Sequence, residues 1–244
     1  MSEKIYVVGI GPGSREGMTL EAQQVLHRAD VIVGYPVYLA LLGEEYADKK
    51  MLSTPMRREE ERCRMAFEEA HKGNRVALVC SGDAGVYGMA SLMYSIAGEY
   101  PAAEVEIICG VTAALSGAAR LGAPLTHDFA VISLSDLLTP WELIEKRLRA
   151  AATADFAMAI YNPASHKRPE HLKRACDILL ETIDGNRVCG YVENIGRQGE
   201  KSVLLRLDEL RNRELNMFTT VFIGNSSTAI INGKMVTKRG YHIE

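Results

Sequence analysis

Short runs of β-branched and aliphatic residues recur along this chain and alternate with stretches of helical periodicity, and no other feature limits its folding so strongly. Strands read at residues 5–8, 31–33, 76–80, 105–108, 130–134, 156–161, 188–192, 202–207 and 219–223. Several, such as Val76-Ala77-Leu78-Val79-Cys80, are apolar on successive residues, as strands covered on both faces must be. Between them, Cys63, Ala66, Phe67 and Ala70 form a 3.6-residue stripe, with Arg64, Glu68, Glu69 and residues 59–62 on the opposite face. Trp141, Ile144, Leu148 and Ala151 form a second stripe, and Leu172, Cys176, Leu179 and Ile183 a third that stops before Gly185. Thr139 reads as the N-cap of the second, with Pro140 at its first position and Glu142 closing a capping box. Such alternation is satisfied by an α/β fold, a parallel or mixed sheet with helices on its faces.

With 244 residues the chain is long for one domain and ample for two small ones. The joint is expected at Leu121-Gly122-Ala123-Pro124, where glycine ends a helix and proline prevents its continuation. That gives domains at residues 1–122 and 123–244. The 28 Lys and Arg against 31 Asp and Glu leave a net charge of −3, divided as −4 in the first half and +1 in the second. A nearly neutral chain lacks the broad basic field that holds a nucleic-acid backbone. The longest apolar stretch, residues 31–42, contains Gly34 and Pro36 and is too short to cross a bilayer. Cys63, Cys80, Cys109, Cys176 and Cys189 are widely spaced without a C-x-x-C pair, which favours reduced thiols in a cytoplasm. The opening residues run straight into a strand without a signal-peptide pattern, so a cytoplasmic location is expected.

Six strand ends carry polar or glycine-rich sequence. Gly9-Ile10-Gly11-Pro12-Gly13 follows the first strand, where α/β ligand sites occur. A dinucleotide is opposed by two details. The pattern is not G-x-G-x-x-G, and Pro12 removes an N–H that a pyrophosphate needs. Gly34-Tyr35 also stands where a ribose-binding acid belongs. Ser81-Gly82-Asp83-Ala84-Gly85-Val86 follows the third run, at 76–80, and its Asp83 suits a ribose hydroxyl or ammonium group, or a helix cap. Cys109-Gly110-Val111-Thr112-Ala113 precedes a helix of small residues suited to close packing, with Thr112 a natural N-cap. Tyr161-Asn162-Pro163 through Arg168, residues 190–197, and Ile223-Gly224-Asn225-Ser226-Ser227 complete the set. Their number points to one small-molecule site between two domains. No P-loop, G-x-S-x-G elbow or H-E-x-x-H occurs, and His127, His166 and His171 are too dispersed for a metal set.

The order Gly-Ile-Gly-Pro-Gly, Ser81-Gly-Asp-Ala-Gly-Val-Tyr-Gly-Met-Ala90 and Gly110-Val-Thr-Ala-Ala114 resembles the tetrapyrrole methylases of cobalamin and sirohaem synthesis. Leu121-Gly-Ala-Pro-Leu-Thr-His-Asp-Phe-Ala130, Ile132-Ser-Leu-Ser-Asp-Leu-Leu-Thr-Pro-Trp-Glu142, Tyr161-Asn-Pro and Val236-Thr-Lys-Arg-Gly-Tyr241 resemble the branch acting on carbon 17 of precorrin-3B or cobalt-factor III. The resemblance spans essentially the whole chain. It implies two α/β domains with mixed sheets and a cleft between them, the class III methylase type, in a homodimer. It also implies S-adenosyl-L-methionine as methyl donor, S-adenosyl-L-homocysteine as product, and a tetrapyrrole substrate methylated with ring contraction.

Carried over by position, the resemblance puts Pro12, Ser81, Gly82, Asp83, Val86, Thr112, Ala113, Asn162 and Gly190 around the donor. Asn162 departs from the wider family, where Met is frequent. For the proton transfers of ring contraction, His127, Asp128 and Asp136 flank the branch-specific segment. The alternative for each is a loop hydrogen bond or turn cap. Lys167, Arg168, Arg197 and Arg239 lie beside the motifs and suit the substrate's carboxylates. The remaining alternatives are methylation at another carbon and a non-catalytic nucleotide-binding protein.

Overall fold

The computed structural model describes residues 3–165 and 167–241. They form two compact units that divide between Ala113 and Ala114. The first contains β1 (Glu3–Gly9), α1 (Leu20–Arg28), β2 (Val31–Gly34), α2 (Pro36–Leu39), β3 (Lys50–Ser53), α3 (Glu59–His71), β4 (Val76–Cys80), α4 (Ala90–Ala97) and β5 (Ala103–Ile108). Its five strands are all parallel, in the order β3-β2-β4-β1-β5.

Alternate residues of these strands enter two different cores, which is why the runs are apolar without interruption. Val7, Val33 and Leu78 pack on Cys63, Phe67 and Met93 of α3 and α4. Val8, Ile32 and Val79 pack on Ala22 and Leu26 of α1, with Tyr46.

The second unit contains α5 (Ala113–Leu121), β6 (Gly122–Ala123), β7 (Phe129–Ser133), α6 (Trp141–Thr153), β8 (Ala157–Tyr161), α7 (His171–Leu180), β9 (Val188–Glu193), β10 (Lys201–Arg206), α8 (Leu207–Leu210), β11 (Thr219–Ile223), β12 (Thr228–Ile231) and β13 (Lys234–Thr237). Its main sheet runs β10-β9-β11-β8-β7 and is mixed: β7 and β8 are parallel, while β11 opposes β8 and β9, and β10 opposes β9. Ile144, Leu148, Leu172, Cys176 and Leu179 of α6 and α7 cover one face of this sheet.

The joint expected at Gly122 therefore falls earlier, because α5 packs within the second unit. A Cβ on Gly117 would lie 2.9 Å from Phe222 and Ile195, and one on Gly190 would lie 2.8 Å from Leu121. The helix lies that close because both positions are glycine. Helix α6 also starts one residue later than expected. Pro140, not Thr139, is its N-cap, with ψ 143 and no side-chain cap bond. Proline restricts φ and leaves ψ free to stay extended.

Cys63, Cys80, Cys176 and Cys189 are buried, and burial pushes the Cys63 and Cys176 thiols up to about 12. These are core residues, as the Cys176 stripe indicated. Among the described residues, no helix is long and apolar enough to cross a membrane.

Candidate functional site

In the first unit, β1 and β4 are neighbours whose connections leave on opposite faces. Helix α1 joins the core containing Val8, and α4 joins the core containing Val7. The adjacent carboxyl ends of β1 and β4 are thus a topological switch point, where open α/β sheets bind ligands. There the loops exchange backbone bonds: Gly11 N donates to Gly82 O at 3.0 Å and Gly82 N to Gly11 O at 2.7 Å. The end of β5 presses onto the same place, since a Cβ on Gly110 would stand 2.1 Å from Gly82 O. Only glycine permits that approach.

Asp83 joins the loops. Its Oδ1 accepts from Gly85 N and its Oδ2 from Gly110 N, both at 2.8 Å. It does not cap α4, whose N-cap is Met89 with no side-chain bond. Each carboxylate oxygen keeps capacity for another donor, and the residue is half-buried. Gly82 has φ +70, and a Cβ there would face Thr112 Cα at 3.6 Å. Pro12 is buried against Gly17, and Ser81 and Val86 are half-buried in the β4 loop. Thr112 immediately precedes Ala113, the first residue of α5. The expected donor residues of this unit therefore gather at one edge of one sheet.

In the second unit β7, β8 and β9 run in one direction, and their carboxyl ends share an edge. Asn162, just past β8, has φ +52, a conformation Asn tolerates well. Its Nδ2 donates to Ser133 Oγ at 3.0 Å, and that oxygen also accepts from Ser135 N at 3.2 Å. Ala114 N donates to the Tyr161 hydroxyl oxygen at 2.7 Å, which satisfies one free amide at the start of α5.

Asp136 lies on this edge with Oδ2 3.0 Å from His171 Nε2 and Oδ1 4.0 Å from Arg168 Nε. His171 Nε2 makes no hydrogen bond of good geometry, so the shorter approach is a close polar contact rather than an aligned hydrogen bond. The His171 imidazole, then Arg168, hold the Asp136 carboxyl below its ordinary range. His171 is buried and meets the Trp141 ring edge-on at 4.9 Å, and Arg174 covers that indole at 4.0 Å.

Other expected residues stand apart. His127 and Asp128 precede β7, whereas Asp136 follows it, so the strand's length separates the acid–base candidates. His127 Nδ1 accepts from Asp128 N at 2.8 Å, and both residues are exposed. That is a local loop contact. Gly190 lies within β9 under Leu121. The strand end at Ile223-Gly224-Asn225-Ser226-Ser227 belongs to the reversed β11 and lies on the opposite edge, so the six ends do not converge. Arg168 is largely buried, with Nε donating to Ser165 Oγ at 3.2 Å. Lys167 is exposed, Arg197 follows β9 with its guanidinium 5.5 Å from the Phe218 ring, and Arg239 is exposed beyond β13. His166 lies outside the described residues.

Sequence reasoning missed His171 and Arg62. The sequence offers His171 only as a dispersed metal ligand and places Arg62 on the helix face opposite the apolar stripe. Arg62 is buried beside Met89.

The family model for tetrapyrrole (corrin/porphyrin) methylases matches residues 4–211. The chain is 45% identical over 238 residues to a probable cobalt-factor III C(17)-methyltransferase of Salmonella typhimurium, covering 97% of this chain and 99% of that one. It is 39% identical over 235 residues to a precorrin-3B C(17)-methyltransferase of a Sinorhizobium species, covering 95% and 92%. The crystal structure of the methyltransferase CobJ superposes with a TM-score of 0.89 at 37% identity, covering 96% of this chain and 99% of that chain. With its strand-end loops, its two α/β units and these near-complete matches, the chain belongs to the tetrapyrrole (corrin/porphyrin) methylases.

Proposed function

We propose that this protein is an S-adenosyl-L-methionine-dependent methyltransferase that methylates carbon 17 of precorrin-3B or cobalt-factor III, with ring contraction, in cobalamin synthesis. The observation that carries the reading is 45% identity to the Salmonella relative across nearly the whole of both chains. The donor supplies an electrophilic methyl carbon on a sulfonium, so the protein's work is alignment. The switch-point edge fits such a donor: Asp83 is fixed by two amides yet keeps acceptor capacity for a ribose hydroxyl or ammonium group. Pro12, Ser81, Gly82, Val86, Thr112 and Ala113 line or adjoin that edge.

Ring contraction requires proton transfer, and Asp136 is the group proposed to carry it. Its carboxyl is held below the ordinary range by His171 and Arg168, and it shares its edge with Asn162 and Arg168. Arg168, Arg197 and Lys167 are proposed to meet the substrate's carboxylates, by fork or point charge. The reading extends to a homodimer acting in the cytoplasm, which sedimentation at working concentration tests for its oligomeric part.

The decisive experiment incubates the protein with precorrin-3B and, separately, cobalt-factor III, using donor labelled at the methyl carbon. Label at carbon 17 is expected; label at another carbon assigns the protein to a neighbouring step. Calorimetry with S-adenosyl-L-homocysteine should show binding, and Asp83→Ala should weaken it at least about tenfold, through lost charge-assisted bonds. Binding without any turnover of either tetrapyrrole would favour a non-catalytic role.

A further inference from the structure

Helix α3 begins with Glu59, Glu60 and Glu61, and the next residue, Arg62, turns inward and is only 3% exposed. A guanidinium remains charged in a protein, and burying a charge is unfavourable unless a carboxylate accompanies it. Arg62 has no ion-pair partner among the described carboxylates. Its Nη2 donates to the carbonyls of Thr54 and Pro55, each at 3.1 Å. Its Nη1 lies 3.5 Å from Met89 Sδ, and the group sits 5.7 Å from the centre of the Tyr35 ring. Nε is buried without a partner.

The identity of these neighbours gives the arrangement its meaning. Tyr35 directly follows β2, Thr54 and Pro55 follow β3, and Met89 closes the β4 loop that carries Ser81, Gly82 and Asp83. One side chain thus touches three successive segments at the carboxyl edge of the first sheet. An apolar residue of similar volume would fill the space without the desolvation cost. A charge kept there at such cost serves the geometry of the loops it binds.

We infer that Arg62 is a positioning residue, fixing the end of the 81–89 loop against the β2 and β3 ends so that Asp83 presents a single geometry to the methyl donor. The inference rests on the proposed reading that this edge holds the donor. It predicts that Arg62 controls donor affinity rather than the chemical step.

The test uses the full chain and calorimetry with S-adenosyl-L-homocysteine on wild type, Arg62→Ala, Arg62→Lys and Glu69→Gln. Glu69 lies on the same helix, held by Lys50, Lys72 and Asn74 away from these loops. Arg62→Ala should bind about tenfold more weakly or worse, the scale of lost bonds from a charged group. Added guanidinium ion should recover part of that loss. Arg62→Lys should lose affinity too, because a shorter side chain with one nitrogen cannot serve the Thr54 and Pro55 carbonyls and lie against Met89 at the same time. In turnover, the KM for the donor should rise while kcat at saturating donor holds. Glu69→Gln should melt earlier with unchanged affinity, the behaviour of a merely structural residue. If Arg62→Ala does not fold, Arg62→Lys decides by the same readouts. Wild-type affinity in a folded Arg62 variant overturns this inference alone. Failure of the wild type to bind the homocysteine product overturns the donor reading, and this inference with it.

Discussion

In the first unit every strand of the sheet points the same way, so the glycine loops after β1, β4 and β5 lie side by side and touch. In the second, β10 and β11 are reversed, and the decorated strand ends are sorted onto two edges. The difference comes from the connections. Helical crossovers return the chain to the starting edge and give parallel neighbours, whereas the short link between β9 and β10 turns it back. A polar strand end therefore marks a site only after its strand direction is known. Those after β7 and β8 carry Asp136, Asn162 and Arg168 on one edge, while the end of β11 is tied into structure by Asp155 and Thr228.

The largest expected effect lies where the loops of the first unit cross. A methyl group on Gly110 would sit 2.1 Å from Gly82 O and 2.6 Å from the carbonyl carbon of Gly9, and neither backbone can yield cheaply. Gly110→Ala should cost about 3 kcal/mol or more in chemical denaturation and abolish donor binding. The matching change in the second unit, Gly190→Ala, meets the end of the Leu121 side chain at 2.8 Å and backbone only at 3.1 Å, from Val203 O, and should cost less, about 1–2 kcal/mol. Equal costs would break the comparison. A loss of S-adenosyl-L-homocysteine affinity in Gly190→Ala would place that residue at the donor site after all.

The legibility of the molecule follows the same division. Strands at Val76–Cys80 and Thr219–Ile223 were readable because they are buried, apolar and β-branched. Edge strand β3 is Lys-Met-Leu-Ser, mostly exposed and without a β-branched residue, and gave no such signal. The hairpin of β12 and β13 did have one: Asn232-Gly233, both at positive φ between the paired Ile231 and Lys234. Asp83 was legible because an acid in a glycine-rich strand end has few structural reasons to be there. Arg62 was not, since its burial depends on segments after β2 and β3 folding over it, which no local pattern encodes.

A smaller set of variants asks whether the two ends of β7 differ in function. Asp136→Asn keeps size and hydrogen-bonding capacity but cannot take up a proton, and should reduce kcat by at least about a hundredfold, the usual range for a general acid or base. His127→Ala, at the other end and exposed, should stay within about twofold of wild type, the scale of an exposed loop change. Product mass and absorbance after single turnover measure both. The reverse result would move the proton-transfer group to the start of the strand. His171→Asn, which removes the imidazole beside Asp136, should raise the carboxyl's pKa and shift the acid limb of the rate profile towards higher pH.

The smallest effect is expected at the edge where β11 ends. Asp155 Oδ1 accepts from Ser226 N at 2.9 Å and from Arg187 Nη1 at 3.1 Å, and Oδ2 accepts from Ser226 Oγ. Desolvation pushes its pKa upward, but the Ser226 bonds and the Arg187 charge outweigh that and leave it below the ordinary 3.8. A carboxyl lowered on folding stabilises the protein when ionised, so its contribution is complete above pH 3.8 and is lost as the pH falls below that value. Asp155→Asn should flatten that acid limb while costing less than about 1 kcal/mol at neutral pH, because the site is partly solvated. Asparagine also accepts the left-handed φ of 53 found there, so the backbone need not move. If this edge only ties β11 to the start of β8, melting curves across acid pH will register the change, and donor affinity and turnover will not. A fall in either one would mean that both edges of the mixed sheet contribute to the site.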